Sequence, residues 1–274
     1  MTKPIDAFRD FEHSGWNDIN VSKHYDEHFG EVTTQSVQAL LDAAWVVSGS
    51  RVLDVCSGAG YAAAGAAQRG AVVNGLDFAA AQVALARERY PEVSFEVGDG
   101  CALPFPSDSF DCVINGIGVP HFSDPDAALR EAYRVLRSGG RFAFTVYDMP
   151  DRALGFGAVC RAVQAHGSMN VGLPQGPNFF LFSDPAESKR RLEAAGFTAV
   201  TVNTVPQIWR PPTPDAAIDA ILQGTVRAAA TLKSQSADAR PRIRDAIWQV
   251  FSEFKHGDVY EVPMPAVLSA ATKP

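Results

Sequence analysis

The chain has 274 residues, of which 46% are hydrophobic, 20% charged and 10% aromatic. That supplies enough apolar material for a sizeable core and argues against global disorder. The formal net charge is -7 with no basic block, which argues against sequence-independent nucleic-acid binding, and no apolar run approaches the roughly 18 residues of a bilayer span. The four cysteines, Cys56, Cys101, Cys112 and Cys160, show no CxxC spacing, so neither a metal site nor a disulfide framework is expected. Reduced thiols in a cytoplasmic protein are the default. The segment from Met1 to Trp16 carries Asp6, Asp10 and Glu12 without an apolar stretch, so no secretory signal is expected.

Residues 1–47 read as helical with polar breaks. Val37, Leu40, Leu41, Ala44 and Trp45 fall at helical spacing between Glu31 and Val47. The pattern then changes. Strands are predicted at 51–56, 71–77, 93–97, 110–115 and 141–147, and helices at 61–69, 79–89 and from Asp124 onward. Asp124-Pro125 gives the last helix an N-cap and a first-turn proline, its apolar stripe runs through Leu129, Ala132, Tyr133 and Leu136, and Gly139-Gly140 stops it. Strand and helix alternate with short connections, which predicts βαβ units and a mostly parallel sheet covered on both faces.

Beyond residue 148 the pattern is less regular. A helix at 152–167, a Gly/Pro loop at 168–182 and a capped helix from Asp184 precede a sixth strand at 198–209. Helices at 215–233 and 238–255 follow, and 265–273 reads as a last strand. No linker divides the chain, so a single domain is expected: a helical lid at 1–47, a core at 48–147, and a cap with the remaining strands at 148–274.

The turn after the first strand is rich in glycine and opens a helix, which is a nucleotide-binding arrangement. Gly58-Ala-Gly60-Tyr-Ala-Ala63 even fits GxGxxA, a dinucleotide fingerprint. Asp77, ending the second strand, suits a ribose diol in either kind of nucleotide site. Asp54 discriminates better. A carboxylate beside the loop repels a pyrophosphate and suits a cationic ligand with an amino group; the structural alternative is that it caps the loop. Asp99 is placed to accept from an adenine amino group, or else to make an Asx turn.

Four pieces in order carry a resemblance: Val52–Gly60, Gly75–Asp77, Gly98–Asp111 and Arg134–Phe142. Together they resemble the class I S-adenosylmethionine-dependent methyltransferases, in the small-molecule branch of ubiquinone and menaquinone biosynthesis. The resemblance is strong over about residues 45–147 and loose elsewhere. It implies an α/β, Rossmann-like, seven-stranded sheet with helices on both faces, an N-terminal helical lid and helical insertions in the C-terminal part. It implies S-adenosylmethionine as cofactor and S-adenosylhomocysteine as product. Asp54 with Ser57, Gly58 and Gly60 would hold the methionine end. Asp77 would take the ribose hydroxyls, with Phe78 beside the adenine. Asp99, Gly100 and Cys101 would recognise adenine, Asn115 would offer its backbone carbonyl to the amino group, and Tyr25 of the lid would cover the cofactor carboxylate. Where the family often has glycine, this chain has Cys56, which reads as a small buried filler.

His121 is the candidate general base. It follows the fourth strand at the edge where such sheets bind ligands, and imidazole titrates near neutrality. The structural alternative is a loop-fixing histidine. His13 and His28 read as surface positions. Phe179, Phe180, Phe182 and Trp209 fit either an apolar acceptor pocket or core under the cap. The expected function is methyl transfer to oxygen or carbon, with nitrogen third, of an apolar or aromatic small molecule. The alternatives are an NAD-dependent oxidoreductase and an S-adenosylmethionine-binding protein without methyl transfer. A small-molecule acceptor is the expected partner; a homodimer stays open.

Overall fold

Val52 and Leu53 are neighbours in strand β1 (Arg51–Val55), both are fully buried, and they enter two different apolar clusters. Successive side chains of a strand point to opposite faces, so this sheet is covered on both sides. The computed structural model describes residues 4–274; the first three residues of the expected N-terminal helical stretch lie outside the described residues.

The other strands of the main sheet are β2 (Val72–Asp77), β3 (Ser94–Val97), β4 (Phe110–Gly116), β5 (Leu136–Tyr147), β6 (Thr198–Val205) and β7 (Ala266–Thr272). Their order is β3-β2-β1-β4-β5-β7-β6, and β7 runs antiparallel to both its neighbours while the pairs from β3 to β5 are parallel. The mostly parallel seven-stranded sheet is as expected. Helices α1 (Pro4–Trp16), α2 (Ile19–Thr34) and α3 (Val37–Ala43) precede it. Then α3, α4 (Tyr61–Gln68) and α5 (Ala80–Arg89) cover the Val52 face. The Leu53 face is covered by α6 (Pro125–Val135) and α8 (Pro185–Ala194). A third cluster joins α7 (Leu154–His166), α9 (Pro214–Gly224), α10 (Arg227–Lys233) and α11 (Ala239–Ser252) to Phe29 and Val32 of α2. Among the described residues, no helix is long and apolar enough to cross a membrane.

The cap signals act as read. Asp124 accepts from Ala127 N–H at 2.9 Å and Asp184 from Ala186 N–H at 2.8 Å, each followed by a first-turn proline. Several boundaries differ. The helix expected across 31–47 is broken at Gln35-Ser36, and Trp45 leaves it in a left-handed conformation (φ 59°) with 59% of its surface exposed. Its ring lies against the Arg141 guanidinium, 4.2 Å from the centroid, so an apolar stripe position became a cation–π shelf. Leu136 starts β5 instead of ending α6, because it pairs with Phe110 while the chain bends through Gly139 (φ 75°). The strand expected at 198–209 ends at Val205, and Ile208–Trp209 pairs separately with Val262–Pro263. The helix expected at 215–233 divides after Gly224, whose ideal Cβ would sit 2.9 Å from the Tyr25 backbone nitrogen. Close packing of α9 on α2 thus requires glycine there.

Candidate active site

The strand order reverses between β1 and β4, and ligands in such sheets bind beyond the carboxyl ends at that crevice. A cavity of about 610 Å³ opens there, between the loops following β1, β2 and β4 and the lid helices. Ser57, Gly58, Asp77, Phe78, Gly118 and His121 face it from the sheet side, and Trp16 and Tyr25 from the lid. A second lobe, sharing Cys56, Phe78 and His121, carries Asp99, Gly100 and Cys101.

The turn after β1 is shaped by three left-handed residues, Cys56 (φ 56°), Gly58 (φ 53°) and Gly60 (φ 89°). Asp77 ties that turn to its own: its Oδ2 accepts from Gly58 N–H and its Oδ1 from Ala79 N–H, both at 2.9 Å. Burial raises the pKa of its carboxyl above the ordinary carboxylate value, and the Ala79 and Gly58 N–H donors and the nearby His121 offset part of that rise. Ser57 Oγ is buried without a partner.

Asp54 lies beneath the cavity wall. It is 1% exposed, its Oδ2 accepts from Ala63 N–H at 2.9 Å in the first turn of α4, and its Oδ1 is buried with no partner. Burial pushes its carboxyl up to about 8, the Ala63 N–H opposes the rise, and Asp77 adds to it. Asp99 lines the second lobe and accepts from Cys101 N–H at 2.8 Å, the Asx-turn geometry. Cys101 is pushed up to about 12 by burial and by Asp99, so it is a neutral thiol.

Like Asp54, two further residues singled out from sequence are placed behind the walls. Gly60 faces rings: an added Cβ would lie 2.8 Å from Phe95 and 3.0 Å from Tyr90. Asn115 is buried, donating from Nδ2 to Val55 O at 2.7 Å and accepting at Oδ1 from Gly118 and Val119 N–H. It fixes the turn whose next residues, Gly116 to Gly118, form the wall.

His121 sits in a 3-10 turn (Val119–His121) and lines both lobes and a further cavity. Its Nδ1 lies 2.8 Å from Glu12 Oε2, and Glu12, 2% exposed, also accepts from Trp16 Nε1 at 3.1 Å. A carboxylate only accepts, so a proton lies on Nδ1 in this bond, and in the neutral imidazole Nε2 is then the accepting atom. Glu12 was not legible as a site residue; its only sequence signal is the i, i+4 spacing to Trp16.

The further cavity encloses about 920 Å³, counted to its open mouth. Trp16, Tyr25, Ile117 and His121 form its common wall with the first. Phe179 and Phe180 line it, whereas Phe182 packs on Phe144 (5.4 Å between centroids) and Trp209 on Phe29 (4.8 Å) within the core. Tyr25 OH lies 3.4 Å from Thr33 Oγ1, and Tyr147 OH is buried without a partner; burial raises both phenols. His13 is exposed, as expected, at the rim of the second lobe with its ring 5.5 Å from Phe78, while His28 is half-buried and lends its carbonyl to Trp209 Nε1. The lid is held down by Asp26, which accepts from Arg89 of α5 and from Tyr61 of α4.

Residues 53–144 match the sequence model of the methyltransferase domain family. A demethylmenaquinone methyltransferase of Deinococcus radiodurans is 33% identical over 165 residues, covering 54% of this chain and 67% of the relative. The chain belongs to the class I S-adenosylmethionine-dependent methyltransferases. Within that family, a demethylmenaquinone methyltransferase of Renibacterium salmoninarum is 36% identical over 111 residues, covering 40% of this chain and 47% of the relative. Matches of that kind span about half the length of the curated methyltransferases concerned. The fold is also that of the solved phosphoethanolamine N-methyltransferase 2 of Haemonchus contortus, with TM-score 0.61 at 22% identity, covering 97% of this chain and 60% of that one.

Proposed function

We propose that the chain binds S-adenosylmethionine in the switch-point cavity and transfers a methyl group to oxygen or carbon, with nitrogen third, of an apolar or aromatic small molecule. The observation that carries this reading is His121, oriented by Glu12, on the wall common to the two cavities. When bound, the cofactor supplies an electrophilic methyl on a sulfonium, open to in-line displacement.

The residues fit such a ligand. The lobe against the glycine loop is lined by Asp77 and by no Lys or Arg among the described residues, and Gly58 N–H is already given to Asp77. That arrangement suits a cationic ligand and disfavours a pyrophosphate, so it supports S-adenosylmethionine over NAD. The partnerless Ser57 Oγ, on the cavity wall, serves the cationic end while Asp54 supports the loop from beneath through Ala63 N–H; Asp77 serves the ribose hydroxyls, and Phe78 with Asp99, Gly100 and Cys101 the adenine. Asn115 acts by holding the Gly116–Gly118 wall. Tyr25 and Trp16 exclude water from above, and His121 Nε2 takes the acceptor proton where the acceptor has one to lose.

The names of the relatives and the apolar lining point the acceptor toward quinone-related rings. In this proposal the chain is one cytoplasmic domain of lid, core and cap. Its test is label transfer from methyl-labelled S-adenosylmethionine to a panel of reduced quinones and phenols. Label in an acceptor, lost in His121→Ala, supports it. Tight cofactor binding with the whole panel unlabelled sinks the transfer step and leaves a binding protein.

A further inference from the structure

Arg227 is the only fixed charge among the described residues that line the 920 Å³ cavity, and no Asp or Glu lines it. It opens α10 at the boundary where the helix divides, half-buried, on the cap side of the cavity. It does not reach the cofactor cavity, whereas His121 lines both. Its guanidinium lies 5.5 Å from the Phe8 ring centroid and donates from Nη1 to Pro174 O at 3.0 Å. Among the described residues it has no carboxylate partner within ion-pair distance, and its remaining N–H groups carry no hydrogen bond. The rest of the lining is apolar and aromatic, with hydroxyls from Thr225, Thr231 and the tyrosines.

A guanidinium held on an aromatic shelf presents a planar fork that matches a carboxylate. On a half-buried side chain that lines an otherwise apolar cavity, the free N–H groups of the guanidinium are available to an anion on the ligand, which gains charge-assisted hydrogen bonds there. One guanidinium balances one negative charge. A phosphate monoester would bring nearly two charges into a cavity with no second fixed cation.

Resting on the methyl-transfer reading, we propose that the acceptor is an apolar ring compound bearing one carboxylate. Arg227 binds that carboxylate at the cap end while the methyl-accepting atom lies at the His121 end. Arg227 thus sets acceptor specificity and takes no part in the transfer.

The test uses a matched pair of fluorescent probes, anthracene-9-carboxylate and anthracene-9-methanol, titrated into the full chain with saturating S-adenosylhomocysteine and without it. Wild type is expected to bind the carboxylate about ten-fold or more tightly than the alcohol. Arg227→Met should bring the two affinities within about two-fold by losing the carboxylate alone, and Arg227→Lys should keep part of the preference. The retained alcohol affinity shows that Arg227→Met is folded. Equal affinities in wild type, an unchanged preference in Arg227→Met, or no binding of either probe overturns the proposal. Calorimetry of the same samples with S-adenosylhomocysteine reads the cofactor assignment separately, so either can fail without the other.

Discussion

The Glu12 carboxylate and the His121 imidazole, 109 residues apart in sequence, meet at 2.8 Å on the wall between two cavities. One comes from the lid helix α1 and the other from the turn after β4, so folding of the lid completes the candidate base. The Trp16 ring, nearly perpendicular to the imidazole with 5.2 Å between centroids, packs against it and fixes it further. Turnover should therefore depend on both partners. His121→Ala should lower kcat by about 100-fold or more when the acceptor must lose a proton, with cofactor affinity nearly unchanged. Glu12→Gln should lower kcat by roughly 10-fold through the same imidazole, again without loss of cofactor. Steady-state kinetics beside calorimetry separates the two effects. A wild-type kcat in His121→Ala would demote the pair to scaffold.

Asp77 gives both oxygens to backbone N–H groups of two turns, and the cofactor reading asks it to hold the ribose hydroxyls as well. Asp77→Ala should weaken S-adenosylhomocysteine binding by about 1–3 kcal/mol, the range for buried polar groups left unpaired. Undiminished affinity in calorimetry would remove Asp77 from the ribose.

The buried Asp54 carries a stability signature. Its ordinary value is 3.8 and burial raises the folded value to about 8. A raised carboxyl favours the protonated folded state. Its contribution is full below about 4 and is lost as pH rises through about 8. One proton sets a ceiling of about 1.4 kcal/mol per pH unit on that slope. Denaturant unfolding at pH 5 and pH 8 should show wild type losing more stability than Asp54→Asn over the same interval. Parallel losses in the two proteins would refute the buried-proton account.

Much of this was legible because the relevant physics is local. The alternation at Val52-Leu53, the Gly58/Gly60 turn and the Asp-Pro starts at Asp124 and Asp184 each depend on near neighbours. Asp99, just past β3, is likewise fixed by its own turn, and Asp77 in part, through Ala79 N–H. Glu12 was illegible because its partner arrives through tertiary folding. Trp45 fits a helical stripe by spacing, but the chain leaves the helix in a left-handed turn and the ring meets Arg141 instead. Gly224 did carry a signal, a glycine within a helical pattern, but its reason is the α2 backbone lying against it. Arg227 offered no signal, since only the cap's folding brings it to an apolar cavity.

Gly60 tests the packing behind the loop. It is left-handed and its Cβ position runs into the Phe95 and Tyr90 rings. Gly60→Ala should cost about 2–4 kcal/mol, combining backbone strain with overpacking. Denaturant unfolding checks this, and a change under ~0.5 kcal/mol would show that the rings yield freely.

Asp26 gathers Arg89 and Tyr61 against the lid, so it should slow cofactor exchange. Arg89→Gln should speed S-adenosylhomocysteine release by roughly ten-fold, about 1.4 kcal/mol, and added salt should speed wild type in the same direction. Stopped-flow displacement measures both. Identical release rates would mean that the lid opens elsewhere or not at all.

The crevice between β1 and β4 is built for a nucleoside carrying an amino group rather than for a dinucleotide. Calorimetric titration of wild type with S-adenosylhomocysteine and, separately, with NADH tests it most directly. Binding of S-adenosylhomocysteine, weakened in Asp77→Ala, with no heat from NADH, is the expected result. Binding of NADH alone would contradict it and leave His121 without a methyl to work on.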